Sequence, residues 1–378
     1  MIRFAFAVSQ FGGGGAEKHV VDLANGLVSR GYACQILIFR DYPRCDHALD
    51  PRVEPHDLLK RFGNDPRIPW RIKKMLRESG IQVLHSINWS TFLESSIAAR
   101  LAGGVVHVHG QRGMERNWAR KKSGWKETAR GIVRRWGARR AAAFVAVSDE
   151  IRDWLIEGWG ADPRRVTVIP NGIAPAPPAN PSERERIRHA LGLKPEEIAI
   201  GTVGRLEPVK QQRLLVEAFG RVAREVPAAR LLFVGEGTQR NALEERCRGL
   251  GIRDRVEFLG RREDARALLG GFDLFVLPSL SEGSPQSLLE AMGGGLASVA
   301  TRVGGSAESI DDGKTGLLVD PQDPADLAAR LVELSRSPED RRRLGENAAR
   351  AVRENWSFDA MVGRYDELYR SLLGLPQP

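Results

Sequence analysis

Short, nearly continuous apolar runs recur along this chain, separated by stretches whose apolar positions repeat at helical spacing. In the first half the runs lie near Arg3 to Val8, Ala33 to Phe39, Val83 to His85, Val105 to His109, Ala143 to Val147 and Val166 to Ile169. In the second they lie near Ile198 to Val203, Arg230 to Val234, Val256 to Phe258, Leu274 to Leu277, Ser298 to Ala300 and Gly316 to Val319. Apolar runs without alternation are the mark of strands buried on both faces, and strands that alternate with helices predict an α/β fold of parallel sheets with helices on both sides. Between the halves, Ile173 to Pro181 is too rich in proline for either element and reads as a linker. Two similar halves around such a hinge predict a cleft between them. The tail from Phe358 to Leu373 carries Met361, Tyr365, Leu368, Tyr369 and Leu372 at helical spacing.

The stretch with the most chemistry runs from Leu280 to Met292. Ser284 is a good N-cap and Pro285 suits a first helical position, so a helix is expected to open at Pro285. Glu282 then precedes the helix, on the loop after a strand's carboxyl end, and Glu290 lies about one and a half turns inside it. A helix start cradles an anion, and an acid on either side can hold hydroxyls, so a ligand with a central phosphate and polyol ends fits. Upstream in the same half, Gly204-Arg205-Leu206 with Lys210 also follows a strand. A diphosphate set between two carboxylates needs cations, and Arg205 offers a planar fork and Lys210 a compact charge.

Near the start, Gly12 to Gly15 run into Ala16-Glu17-Lys18-His19 and a helical pattern from Val20 to Leu27. Glycines there leave backbone amides open to a phosphate. A dinucleotide fingerprint fails because its sixth position holds Glu17, and Gly313-Lys314-Thr315 fails as a P-loop because its leading glycine would fall at Glu308.

At 378 residues, two domains are the default, and 42% hydrophobic with 28% charged residues describes an ordinary globular protein. Cys34, Cys45 and Cys247 are odd in number and far apart, which argues for a reducing, cytoplasmic compartment. No apolar stretch approaches the ~20 residues that cross a bilayer. The net charge of +9 is concentrated: residues 112–140 hold eleven Lys or Arg against Glu115 and Glu127. Trp118, Trp125, Ala129, Ile132 and Trp136 stack on one helical face there, which suits peripheral binding to an anionic membrane surface, or else an ordinary crossover helix with its tryptophans inward.

Taken together, Gly12 to Lys18, Asn171-Gly172 after Val168-Ile169-Pro170, Gly204-Arg205-Leu206 with Lys210, the pair Glu282 and Glu290, and Gly304-Gly305 with Glu308 resemble the retaining glycosyltransferases of family 4 over essentially the entire chain. That resemblance implies the GT-B architecture, two Rossmann-like domains facing across a cleft. Residues 1–172 would form the acceptor side, with the C-terminal helix 357–378 packed back on it, and 173–356 would bind the donor. It further implies that Glu290 holds the ribose hydroxyls and Glu282 the transferred sugar, and that Arg205 and Lys210, beside Gly204, neutralise the diphosphate. Amides at Gly14 or Gly15 would join them, those at Ser287 and Leu288 would touch sugar or phosphate oxygens, and His109 would meet the donor sugar. His85 is a weaker candidate at another strand end, and His107 shares the His109 face.

The chemistry so implied is transfer from a nucleotide-sugar donor to a cell-envelope glycan or lipid-linked acceptor, with retained configuration and no metal or other cofactor. Consistently, no Asp-x-Asp triplet of the metal-dependent kind occurs. Two departures leave the donor open: Gly293 to Ser298 lacks the proline common there, and Ser284 replaces a larger apolar residue. A GT-B isomerase, epimerase or phosphorylase is the alternative. Nucleic acid is not an expected partner despite a pI near 9.8, because the charge forms one patch and no nucleic-acid module appears.

Overall fold

The computed structural model describes residues 2–12, 14–40, 49–61, 65–114, 125–174 and 179–376. Contacts divide the chain into two compact units, Met1–Gly172 with Asp359–Pro378, and Ile173–Phe358. The first holds a parallel sheet of β1 (Arg3–Val8), β2 (Ala33–Ile38), β3 (Val53–Asp57), β4 (Val83–Ile87), β5 (Val106–Gln111), β6 (Ala143–Ala146) and β7 (Val166–Val168), in the order 3-2-1-4-5-6-7. The second holds β8 (Ile198–Val203), β9 (Ala229–Val234), β10 (Val256–Phe258), β11 (Leu274–Leu277), β12 (Ser298–Thr301) and β13 (Leu317–Val319), in the order 10-9-8-11-12-13. Every strand pair is parallel.

The apolar runs become central strands because both faces are covered: β4, β6, β11 and β12 are buried at every position. One strand has no apolar run behind it. β3, Val-Glu-Pro-His-Asp, is exposed at Glu54, Pro55 and Asp57 and lies at the sheet edge, where a proline's missing donor costs least. In each unit the winding reverses once, at β1/β4 and at β8/β11. Ligands of open α/β sheets bind outside the carboxyl ends of the strands at that reversal.

The C-terminal helix Phe358–Leu372 belongs to the first unit from Asp359 onward. Its fully buried Tyr365 and Tyr369 lie against His85, and Tyr369 also packs on Phe4. On the opposite face of β4 and β5, Ser86 Oγ lies 2.9 Å from both His107 Nε2 and His109 Nδ1. A hydroxyl has one proton, so it donates to one imidazole and accepts from the other, a bridge that suits two neutral rings.

Two expectations for stability follow from this packing. Burial holds His107 and His109 down to about 3, against 6.5 for an unperturbed histidine. The unfolded chain therefore takes up protons that the folded unit refuses, so stability is full above pH 6.5 and is lost as pH falls from 6.5 towards 3. Each ring contributes ~1.4 kcal/mol per pH unit in that window. Urea midpoints measured between pH 6 and 4.5 should fall with an uptake of about two protons from these residues, and His109→Gln should flatten the slope by about one. In the second unit, a Cβ on Gly345 would lie 2.0 Å from the Gly295 carbonyl oxygen. Gly345→Ala, which in an open helix gains up to ~1 kcal/mol, should here cost ~1–3 kcal/mol in chemical denaturation.

Candidate functional site

In the second unit the loops after β8 and β11 meet at the winding reversal. The first begins at Gly204, whose φ of 154° favours glycine, and its backbone is pressed onto the turn after β9: a Cβ on Gly235 would lie 2.0 Å from Gly204 O, and one on Gly237 2.3 Å from Leu206 O. Leu206 N donates to Glu236 O at 2.9 Å, and Gln239 N donates to Leu206 O at 2.9 Å. Lys210 ends the short turn Pro208–Lys210, which stops at Gln211 in a left-handed conformation with φ of 48°. The second loop is tied to the first by Leu280 N donating to Val209 O at 2.9 Å.

Lys210 and Glu282, 72 positions apart in sequence, form an ion pair in this structure: Lys210 Nζ donates to Glu282 Oε1 at 2.6 Å. Ser279 Oγ donates to the same oxygen at 2.5 Å. Glu282 Oε2 has no hydrogen-bond donor among the described residues. The backbone under the carboxylate is fixed as well, because Gly305 N donates to Glu282 O at 3.0 Å and Gly305 approaches Gly283 so closely that a Cβ would lie 2.0 Å from its carbonyl oxygen. Arg205 is exposed on the Lys210 loop and makes no ion pair among the described residues. The helix Gln286–Gly293 opens one residue later than expected, with Pro285 rather than Ser284 as its N-cap; Leu289 N donates to Pro285 O at 3.1 Å. Proline lacks the amide that an N1 position would leave idle, and here it takes the extended backbone of a cap, ψ 94°, instead. The first turn, with Ser287 and Leu288, has no intrahelical acceptor for its amides, and Glu290 is half-buried one turn further on.

In the first unit, Gly14 is the N-cap and Gly15 the first residue of the helix Gly15–Ser29, with no side-chain cap. The structure corrects the placement of His109. β5 runs two residues past it to Gln111, so His109 is interior, with its ring stacked on Trp159 at 5.3 Å and 4.5 Å from Phe92. Both nitrogens are engaged, Nδ1 by Ser86 and Nε2 by Gln111 Oε1 at 3.3 Å. The apolar run breaks at Gly110, which hid the strand's true end.

Residue 112, counted by sequence as one cation among many, is the one that stands at that end. Arg112 N donates to Asn88 Oδ1 at 2.9 Å, NH1 donates to Tyr365 OH at 3.2 Å, and the guanidinium also donates to Asn171 Oδ1. Asn171 could have been flagged from the Asn171-Gly172 motif; the arginine had no signal of its own. In the rest of the basic segment, residues 115–124 with Trp118 lie outside the described residues. The helix Trp125–Ala138 packs through Gly137 and Ala138, a Cβ on Gly137 meeting the Phe92 ring at 2.4 Å, while Ala129 and Ile132 point outward. No helix among the described residues is long and apolar enough to cross a membrane.

The profile of Glycosyltransferase Family 4 matches residues 13–176, and that of Glycosyl transferases group 1 matches residues 183–351. The chain is 30% identical over 385 residues to a D-inositol 3-phosphate glycosyltransferase of Rhodococcus erythropolis, covering 94% of this chain and 86% of that protein. It is 29% identical over 273 residues to the UDP-Gal:alpha-D-GlcNAc-diphosphoundecaprenol alpha-1,3-galactosyltransferase of Escherichia coli, covering 69% of this chain and 68% of that protein. Other curated relatives are matched over about half their length, among them the D-inositol 3-phosphate glycosyltransferase of Corynebacterium efficiens at 34% identity over 55% of that protein. The crystal structure of Anabaena HepE with UDP and glucose superposes with a TM-score of 0.83 at 20% identity, over 98% of this chain and 100% of that one. With two parallel-sheet units, both family profiles and a relative aligned over nearly its whole length, the chain belongs to the family 4 glycosyltransferases and has their GT-B fold.

Proposed function

We propose that this enzyme moves a sugar from a nucleotide-diphosphate sugar to a cell-envelope glycan or lipid-linked acceptor, with retention and without a metal ion. The observation that carries the reading is the Lys210–Glu282 pair at the β8/β11 reversal. Glu282 Oε1 is taken by Lys210 and Ser279, which leaves Oε2 to accept from a sugar hydroxyl. Arg205, exposed and without a carboxylate partner among the described residues, and Lys210 would face the diphosphate. The first-turn amides of Ser287 and Leu288 would supply neutral donors to phosphate or sugar oxygens, and Glu290 would take the ribose hydroxyls. In the first unit Gly14 N already donates to Gly12 O, which leaves the amide at Gly15 suited to a phosphate oxygen in the same way. His109, interior and fully hydrogen-bonded, is left out of the donor contacts.

In this reaction the bond from the anomeric carbon to the diphosphate oxygen breaks, and a bond to the acceptor oxygen forms on the same face. The acceptor proton passes to the departing phosphate oxygen, so no side chain serves as general base. Stabilising the negative charge that grows on that oxygen is then the chief catalytic task, and fixed cations do it without reorganisation. The E. coli relative's name specifies a UDP-sugar donor and a lipid diphosphate acceptor, and HepE was crystallised with UDP and with UDP-glucose, which supports uridine nucleotides as first probes. A lipid-linked acceptor also suits the outward Ala129 and Ile132 among Arg130, Arg135 and Arg139, and the helix Arg67–Glu78, which exposes Trp70 beside Arg67, Arg71 and Lys74. Apolar tips ringed by cations dock on anionic bilayers.

The decisive experiment is a panel of nucleotide sugars assayed for release of nucleoside diphosphate, with and without chelator. Arg205→Ala and Lys210→Ala should each lower turnover by ~10²-fold or more. Activity that chelator abolishes and manganese restores would overturn the metal-free mechanism, and near-wild-type turnover in both variants would remove the assigned residues.

A further inference from the structure

Lys210 has two claims on it in the second unit. Its ammonium is paired with Glu282 at 2.6 Å, yet in the transfer it would also serve the diphosphate. A carboxylate held by that cation alone would follow any shift of the ammonium towards a phosphate oxygen, because the lysine stem is flexible and its side chain is only partly buried.

A second and stiffer set of groups holds the same carboxylate. Ser279 Oγ, fully buried, donates to Glu282 Oε1 at 2.5 Å. Ser279 lies just past the end of β11 at Leu277, and its carbonyl oxygen accepts from Thr301 Oγ1 at 2.5 Å. Thr301 is the last residue of β12, the neighbour of β11 in the sheet, and it too is fully buried. Its one proton goes to Ser279 O, since the Leu277 carbonyl oxygen is farther away at 3.4 Å. The single Ser279 proton goes to Glu282. A β-branched threonine is stiff at χ1, so the end of β12 fixes the Thr301 hydroxyl, that hydroxyl fixes the Ser279 main chain, and Ser279 fixes the carboxylate. Gly305 N, donating to Glu282 O at 3.0 Å, holds the same residue from its main chain. Valine and alanine would fill these two buried places without any polar group to satisfy. The chain instead lines up both hydroxyls on one acid.

We propose that Thr301 and Ser279 are positioning residues, a hydroxyl relay that keeps Glu282 aimed at the donor sugar while Lys210 shares its protons with the diphosphate. The inference rests on the transferase reading, in which Glu282 contacts the sugar and Lys210 the diphosphate, and it adds two residues that touch neither. Oε1 stays occupied by Ser279 even as the ammonium turns, so Oε2 remains the oxygen that accepts from a sugar hydroxyl.

The test uses full-length wild type, Ser279→Ala, Thr301→Val, Thr301→Ser and the double variant Ser279→Ala/Thr301→Val. Each is titrated with UDP, UDP-glucose, UDP-galactose and UDP-N-acetylglucosamine, and release of UDP is timed with the sugar nucleotide that wild type binds best. Free UDP lacks the sugar, so it reads the grip on the diphosphate alone. Ser279→Ala should lower kcat ~10-fold and weaken binding of the intact donor, with UDP affinity unchanged. Thr301→Val should act in the same direction more mildly, and Thr301→Ser, which keeps the hydroxyl, should restore most of the loss. Because Thr301 acts through Ser279, the double variant should be no worse than Ser279→Ala. Wild-type kcat in Ser279→Ala, equal losses of UDP and donor affinity, or additive losses in the double variant would each overturn the relay. Should Ser279→Ala fail to fold, Thr301→Val and Thr301→Ser decide by the same contrast between UDP and donor. Glu282→Gln tests the donor reading itself: wild-type turnover there, or no sugar nucleotide bound, removes that reading and the relay with it. A loss in Glu282→Gln with none in Ser279→Ala removes the relay alone.

Discussion

A parallel sheet sends every strand out at one edge, and wherever its winding reverses, two consecutive loops part and leave a gap. In the second unit that constraint brings together the loop after β8 and the loop after β11, and with them Lys210 and Glu282. Neither residue is remarkable in composition. Their meaning comes from the topology, which forces a cation and a carboxylate from distant parts of the chain to share one oxygen with Ser279. A surface ion pair contributes little, but this carboxylate is buried, so removing Lys210 leaves an acid with only a serine to satisfy it.

The same reversal in the first unit, between β1 and β4, is chemically different. There the loop after β1 ends in an uncapped helix start at Gly14 and Gly15, and Arg112, just past the end of β5, bonds to neutral groups among the described residues. Among the described residues, one unit thus presents a cation partnered by a carboxylate, the other a cation partnered by neutral groups.

Much of this was legible in the sequence, and the misses have physical causes. β11, an unbroken apolar run, was read to the residue because burial on both faces leaves no other pattern, and β8 and the short β10, which exposes Glu257 between two buried residues, were bounded equally well. β3 was missed because an edge strand need not be apolar and tolerates Pro55. The helix at Gln286 was placed one residue early because proline serves either as cap or as first residue and sequence does not separate the two. Motif context singled out Glu282 and Lys210, and the structure pairs the two side chains. His109 was misplaced because Gly110 interrupts the apolar run while the hydrogen-bonded ladder carries on to Gln111. Arg112 was illegible because its partners, Asn88, Asn171 and Tyr365, are 24, 59 and 253 positions away.

The loops that carry the charged residues are held by main chain rather than by side chains. Gly235 and Gly237 let one turn sit on the Gly204 and Leu206 carbonyls, and Gly305 lets a helix start sit on Gly283. Contacts this close are available only where no Cβ intervenes, and backbone hydrogen bonds back them, from Gly204 N to Val234 O, from Leu206 N to Glu236 O and from Gly305 N to Glu282 O. A side chain changes rotamer at small cost, whereas main chain locked on main chain can move only as a unit. The glycines therefore do for electrostatics what packing does for a core: they fix where Lys210 and Glu282 stand before any ligand arrives. In the proposed transfer, a cation that is already in place would stabilise a departing phosphate without the cost of reorienting.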